Sequence, residues 1–396
     1  MKNLVGPVPR RSTWTAVGAF PFAPLVAIFA LRGYAAFWTI PVRTWDDTYY
    51  RSTALADNAR NLGRIAPAVA GALFPEARGG WVTFGYHDWL VVGLALAPAD
   101  LDAEYVFQMV NLVFLLLQAL TVYLGFRWAG AGRISLAAMA LYLSMPVVFG
   151  LNRWVMTENH VMLTMLALPL LAAWFVWSPR ASTGRELLKG IGVGMVVGVL
   201  SSTREYAAPT VLGMAIVIPA ALCVARRFVA AGGMVLASSP YLCATAVALS
   251  RVAASARMKL GLARYFHSLQ EVSVHALRYV TGIPQGLLLG MGLAAAVVTA
   301  LAGLRNARRA QGTLAHELWA RWLPLGAMLA VLAGYVALFV LSANRTARGV
   351  IPMVWTAIAL LPLALRLGLW PEWRGWRMVE FLCLFALVVS GVFFGL

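Results

Sequence analysis

The stretch "TENHVMLTMLALPLLAAWFVW", residues 157 to 177, carries its only ionisable groups, Glu158 and His160, in its first turn and is then apolar to its end. A helix of about 20 apolar residues crosses a hydrocarbon core of about 30 Å, so the stretch predicts a membrane span. Thr157 is placed to cap it. A glutamate facing lipid in the first turn would be costly, so Glu158 points to a polar cavity at the membrane boundary.

The rest of the chain agrees with this reading. Of its 396 residues, 61% are hydrophobic and only 12% charged, and the mean hydropathy is +0.77. A soluble domain carries about 25% charged residues, so an integral membrane protein is expected. The first apolar stretch, about 14–40, is too long for a signal-peptide core and no small-residue cleavage site follows it, so it is expected to remain as a helix. The net charge of +17 is scattered in short basic clusters between apolar runs. That pattern suits anionic lipid headgroups and excludes a nucleic-acid partner. Cys223, Cys243 and Cys383 stand singly in apolar runs and read as small buried hydrophobes.

Marking apolar runs of spanning length gives about eleven helices. They lie near 14–39, 104–126, 134–150, 157–177, 187–202, 205–225, 228–250, 283–304, 322–342, 349–366 and 377–396. With the N-terminus inside, the cytoplasmic loops hold just over half of the 32 Lys and Arg but only Glu186, Glu317, Glu372 and Glu380 among the 15 acids. This satisfies the positive-inside rule and puts the C-terminus outside. The fold class is therefore all-α: one polytopic membrane domain over 1–396, with outer loops at about 41–103 and 251–282. The first loop holds an interfacial helix, "TYYRSTALADNARNLG", and a second short segment, "GYHDWLVVGLALAP".

Five groups converge on the outer face. Asp46 and Asp47 are adjacent carboxylates at a low-dielectric boundary, where repulsion raises the pKa of one while the other stays ionised, as suits a general base with a helper. An acidic cap on the following helix explains them equally well. His87 and Asp88 open the short segment, where they can orient a hydroxyl or cap the helix. Glu158 and His160 open the 157–177 span. Arg204 lies in a polar break, "SSTREYAAP", suited to a phosphate or to a salt-bridged turn. Arg345 and Arg348 precede a helix start, which adds the positive end of its dipole to two guanidiniums. Together these permit a narrow chemistry: a carboxylate takes a proton from an acceptor hydroxyl while arginines hold the phosphate leaving group of an activated sugar.

The order of these motifs resembles the GT-C superfamily of polytopic glycosyltransferases, which includes protein O-mannosyltransferases and lipid A aminoarabinose transferases. Their first outer loop carries an acidic pair before a Tyr-bearing helix, read here as Asp46-Asp47-Thr48-Tyr49-Tyr50. "HDWL", His87 to Leu90, stands where the family has a His-Pro-Pro-Leu-like stretch, without the prolines. Glu158 matches the second acid, Thr203-Arg204 the following basic turn, and "ARGVIP" with Arg348 the start of a late helix. The pair is Asp-Asp instead of Asp-Glu, and no large soluble C-terminal domain is apparent.

The resemblance implies transfer of a sugar from a polyprenyl-phosphate donor with inversion, at the outer face of a bacterial inner membrane. It implies Asp46 as general base, Asp47 and Glu158 as its helpers, and Arg204, Arg345 and Arg348 on the donor phosphate. Tyr49, His87, Asp88 and His160 are the substrate-binding groups it puts beside them. The acceptor is a lipid, a glycan or a protein. Some members bind a divalent metal near the acids, and the sequence leaves that cofactor open. The alternative, a lipid or sugar transporter or flippase, calls for ionisable residues near mid-membrane and two similar halves. The sequence shows neither.

Overall fold

The computed structural model describes residues 45–74, 77–78, 81–82, 85–130, 135–143, 157–204, 207–253, 314–341 and 347–366, with a few single positions besides. The described elements are α1 (Trp45–Arg60), α2 (Ile65–Leu73), β1 (Ala77–Arg78), β2 (Trp81–Val82), α3 (Tyr86–Leu96), α4 (Ala103–Trp128), α5 (Ser135–Leu143), α6 (Glu158–Trp177), α7 (Thr183–Ser201), α8 (Ala208–Val224), α9 (Phe228–Ala253), α10 (Leu314–Leu341) and α11 (Ala347–Arg366). The chain is a helical, multi-pass membrane protein. Among the described residues three helices are long and apolar enough to cross a bilayer: Ala103–Trp128, Glu158–Trp177 and Phe228–Arg251. Shorter apolar stretches lie in α8, α10 and α11.

The expected spans fall on α4 to α11 with shifted ends. The expected spans 14–39, 283–304 and 377–396 lie outside the described residues, apart from single positions. Helix α10 begins eight residues before the expected 322, because "LAHELWAR" is helical but too polar for a hydropathy reading to include. The interfacial helix and the short segment of the first loop are α1 and α3. Between them stand α2 and the antiparallel β1–β2 ribbon, with Ala77 opposite Val82 and Arg78 opposite Trp81. The sequence reading had neither. The ribbon packs on α9, where Phe74 stacks on Tyr241 with ring centroids 5.2 Å apart.

Helix α6 is the centre of the bundle and packs against α4, α7, α8, α10 and α11. Its apolar window is 72% buried, against 28% for α9. A helix apolar all round belongs in the interior; one with bare apolar flanks meets lipid. Cys223 and Cys243 correct the expectation of buried thiols, since both are exposed on the flanks of α8 and α9. A flank turned to lipid accommodates a small apolar thiol as readily as a core does.

Helices α7 and α9 pack at backbone distance. A Cβ built on Gly190 or Gly194 would run into the carbonyl oxygen of Ala230 or Met234, and one on Gly198 into the ring of Tyr241. Small residues at four-residue spacing let membrane helices approach in this way. Gly194→Ala is therefore expected to destabilise the protein by about 1–3 kcal/mol, the usual cost of overpacking. Its thermal midpoint in detergent checks this.

At the far end of α6 from Glu158, the buried Arg227 gathers three elements. Its Nε donates to Glu186 Oε2 at 2.7 Å and its Nη2 to Glu186 Oε1 at 3.1 Å, while Nη1 donates to the Phe175 carbonyl at 2.8 Å. A guanidinium satisfies helix-terminal carbonyls and complements the negative end of the dipole. Burial pushes the Glu186 carboxyl up. The hydrogen bonds and charge of Arg227, with the Ala181 N–H and Lys189, outweigh it and hold the group below its usual value. A depressed carboxylate gives stability that is present above its unfolded pKa and lost as pH falls through the folded one. The thermal midpoint should therefore drop below about pH 4.3, the ordinary glutamate value, and Glu186→Gln should flatten that acid limb. Equal acid limbs in the two proteins would overturn the assignment.

Candidate active site

Four helix ends meet at one place: the start of α6, the start of α3, the end of α7 and the start of α8. The α7–α8 turn carries Arg204 to the first turn of α6. There its Nη1 donates to Glu158 Oε1 at 2.6 Å and to Thr157 Oγ1 at 3.2 Å. Glu158 is fully buried. Of the two roles the sequence allowed Arg204, phosphate ligand or salt-bridged turn, the geometry displays the ion pair.

This joint is recessed. Asp102 caps α4 by accepting from the Glu104 N–H at 2.9 Å, yet the α4 residues beside the first turn of α6 are Asn111, Phe114 and Gln118. At a rise of 1.5 Å per residue, Glu158 lies roughly 15 Å along α4 from its cap. A buried ion pair among apolar helices is a functional-site candidate.

His160 is buried beside Glu158, with its ring centroid 5.6 Å from that of Phe114. Among the described residues its Nδ1 and the Oγ1 of Thr203, also buried, have no hydrogen-bond partner. Gly85 makes this approach possible. A Cβ there would collide with the Ser202 hydroxyl, stand 2.6 Å from the Ser202 carbonyl oxygen and 3.0 Å from His160 Cε1. Only glycine lets α3 begin against the end of α7.

The sequence reading treated His87 and Asp88 as one pair, and α3 separates them. Successive helical residues point about 100° apart and do not face each other. His87 turns to α1, with Nε2 2.9 Å from Asp57 Oδ2 and Nδ1 3.4 Å from Thr53 Oγ1. Asp57 also accepts from Arg60 at 3.1 Å. Asp88 turns to α2, its Oδ1 3.2 Å from the Cβ position of Gly71. His87 thus ties α1 and α3 together.

Asp57 was missed. Its signal was present: with Tyr50 and Ala54 it shares the buried stripe of α1, where a carboxylate needs a partner.

Tyr49 is half-buried in α1, edge-on to Tyr50 at 5.7 Å, and Tyr50 in turn meets Tyr86 at 6.4 Å. Arg51 pairs with Glu104 and lies over Phe107 at 5.6 Å, which fixes α1 on α4. Asp46 and Asp47 are the second and third residues of α1, and Arg348 is the second of α11. Those three side chains, and Arg345 altogether, lie outside what the structure describes. Among the described residues no three His, Cys, Asp or Glu gather as a metal site.

No family model and no curated protein matches the sequence. Among solved structures, ArnT from Cupriavidus metallidurans, crystallised bound to undecaprenyl phosphate, is similar with a TM-score of 0.52. The likeness covers 87% of this chain and 60% of that one at 14% identity, so this chain spans three fifths of the length of that protein. Identity this low speaks for the fold alone. The helical membrane fold described above is like that of ArnT, in keeping with the fold that the order of motifs implied.

Proposed function

We propose that the protein is an inverting glycosyltransferase that moves a sugar from a polyprenyl-phosphate donor to an acceptor hydroxyl, at the outer face of a bacterial inner membrane. The observation that carries this reading is the fold it shares with ArnT, a protein seen bound to undecaprenyl phosphate. The buried joint of Glu158, His160 and Arg204 supports it, since ionisable groups gathered among apolar helices default to a functional role.

In this mechanism Asp46 removes the acceptor proton as the hydroxyl attacks the anomeric carbon. The C–O bond to phosphate breaks on the opposite face, and the lipid phosphate leaves with the bonding electrons. Asp47 holds the charge balance that keeps Asp46 basic. Arg348, the second residue of α11, and Arg345, just before that helix in sequence, take up the negative charge that develops on the phosphate. Arg204 acts through Glu158, since the two are already paired. Tyr49, on the same helix as Asp46, and His160, with an unsatisfied ring nitrogen, face the sugar or the acceptor. Asp88 contributes on the same side, and His87 holds α1 at its place on α3.

The test is transfer from a panel of radiolabelled polyprenyl-phosphate sugars to envelope lipids, glycans and proteins by the purified protein in nanodiscs. Transfer from one donor with inversion supports the reading. Uptake of the sugar lipid into the opposite leaflet without covalent transfer from any donor would replace it with a flippase.

A further inference from the structure

Three uncharged polar side chains on apolar helices, Asn111 and Gln118 of α4 and Asn159 of α6, are fully or almost fully buried and took no part in the sequence reading. They belong to one chain of hydrogen bonds. Trp355 Nε1 of α11 donates to Tyr142 Oη of α5 at 2.9 Å. Tyr142 donates to Gln118 Oε1, and Gln118 Nε2 donates to the Asn159 carbonyl oxygen at 2.8 Å. Asn159 Nδ2 donates to Asn111 Oδ1 at 3.2 Å, and Tyr86 of α3 donates to the same oxygen.

The chain has one polarity. An indole N–H only donates and a carbonyl only accepts, so Tyr142 and Gln118 must each give in one direction and take from the other. A flip of Gln118 would set its oxygen against the Asn159 carbonyl oxygen, two acceptors, and a flip of Asn111 would set its N–H groups against those of Asn159. Asn159 is thus held by its carbonyl at Gln118 and by its side chain at Asn111, seven residues apart and on one face of α4. Two attachments at one residue fix the rotation of α6 about its own axis. Glu158 and His160 flank that residue, so the same attachments aim Glu158 at Arg204 and His160 at Phe114 and Gly85.

We infer that Gln118 and Asn111 are positioning residues for the first turn of α6, and that Trp355 and Tyr142 tie this turn to α11, the helix that begins beside Arg348. The inference rests on the proposed transferase reading for its kinetic consequence, and not for its structural one. The network sets two parts of the candidate site, α6 with its acid and α11 with its arginine, in a fixed relation without touching a substrate. Binding of donor does not need that relation. The reacting geometry does, and a misplacement of about 1 Å costs about a hundredfold in rate.

Gln118→Met keeps the length of the side chain and loses both hydrogen bonds. It is expected to lower kcat about 10- to 100-fold and to leave KM for the lipid donor within about twofold. Gln118→Glu, neutral when buried, gives an O–H to Asn159 and accepts from Tyr142, so it should restore kcat to within a few-fold of wild type. Trp355→Phe cuts the far end only and should cost a few-fold.

Amide hydrogen exchange of residues 160 to 164 in nanodiscs reads the lock without any activity. Exchange there should rise about tenfold in Gln118→Met, return in Gln118→Glu, and stay unchanged across α8. Unchanged exchange in Gln118→Met, or a loss that Glu fails to restore at equal thermal midpoint, overturns the inference. If the wild type transfers no sugar, the transferase reading falls, and the exchange data decide the lock by themselves. Should Gln118→Met not fold, Trp355→Phe and Asn111→Asp carry the same exchange comparison.

Discussion

Asp46→Asn is expected to lower kcat for sugar transfer by about 10²–10⁴, the range a positioned general base contributes, with KM for the lipid donor little changed. The substitution is informative because of where Asp46 stands. It is the second residue of α1, close to an N-terminus where a carboxylate also stabilises the helix by its charge. Asn near a helix start costs a few tenths of a kcal/mol at most relative to Asp and keeps its shape. A role in the helix start alone therefore leaves activity near wild type, whereas a base loses its proton acceptor entirely. Asp47→Asn separates the two neighbours: as helper, Asp47 should cost less in kcat and shift the alkaline or acid limb of the rate profile. If instead Asp47→Asn is the inactive variant and Asp46→Asn the mild one, the roles exchange. Full activity in both would sink the mechanism. Circular dichroism and the thermal midpoint of each variant must match wild type for the comparison to hold.

How much of this was legible in the sequence depends on which physical signal each part gave. The spans were legible because hydropathy over about 20 residues is a bulk property that survives errors at the ends. The starts of α4 and α6 were one residue off; Asp102 caps α4, whereas Thr157, expected to cap α6, makes no capping hydrogen bond and accepts from Arg204 instead. Helix α2, "IAPAVAGAL", was not legible: nine small residues give neither spanning length nor a charged face. The Glu158–Arg204 contact was half legible. Topology put both residues at outer helix ends, and only packing shows that the two ends coincide. His87 and Asp88 were read as one pair, although neighbours in a helix do not face each other. The partner of His87, Asp57, comes from another helix, 30 residues away. The amides of the α4–α6 lock escaped because Asn and Gln carry no charge and a hydropathy scan averages them away. Their recurrence at positions 108, 111 and 118 on the buried side of α4 was the available clue.

The second large effect concerns the buried ion pair. Arg204→Met leaves the Glu158 carboxylate buried at the head of α6 without its guanidinium, and breaking a buried pair from one side costs about 3–5 kcal/mol. The thermal midpoint should fall accordingly, and little folded protein should survive purification. Adding Glu158→Leu removes the stranded charge. Replacement of a buried pair by apolar residues of similar volume is often neutral, or stabilising by about 1–4 kcal/mol, so the double variant should regain the midpoint that Arg204→Met lost. Transfer activity should follow the opposite course. If Glu158 and Arg204 serve the reaction, Glu158→Leu with Arg204→Met is stable and inactive, while a pair that only holds helices together leaves the apolar double variant stable and active. Stability and rate thus answer different questions in the same three proteins. Donor-lipid binding, measured with undecaprenyl phosphate in nanodiscs, then locates the defect: retained binding with lost transfer assigns the pair to the reacting geometry, and lost binding assigns Arg204 to the phosphate after all.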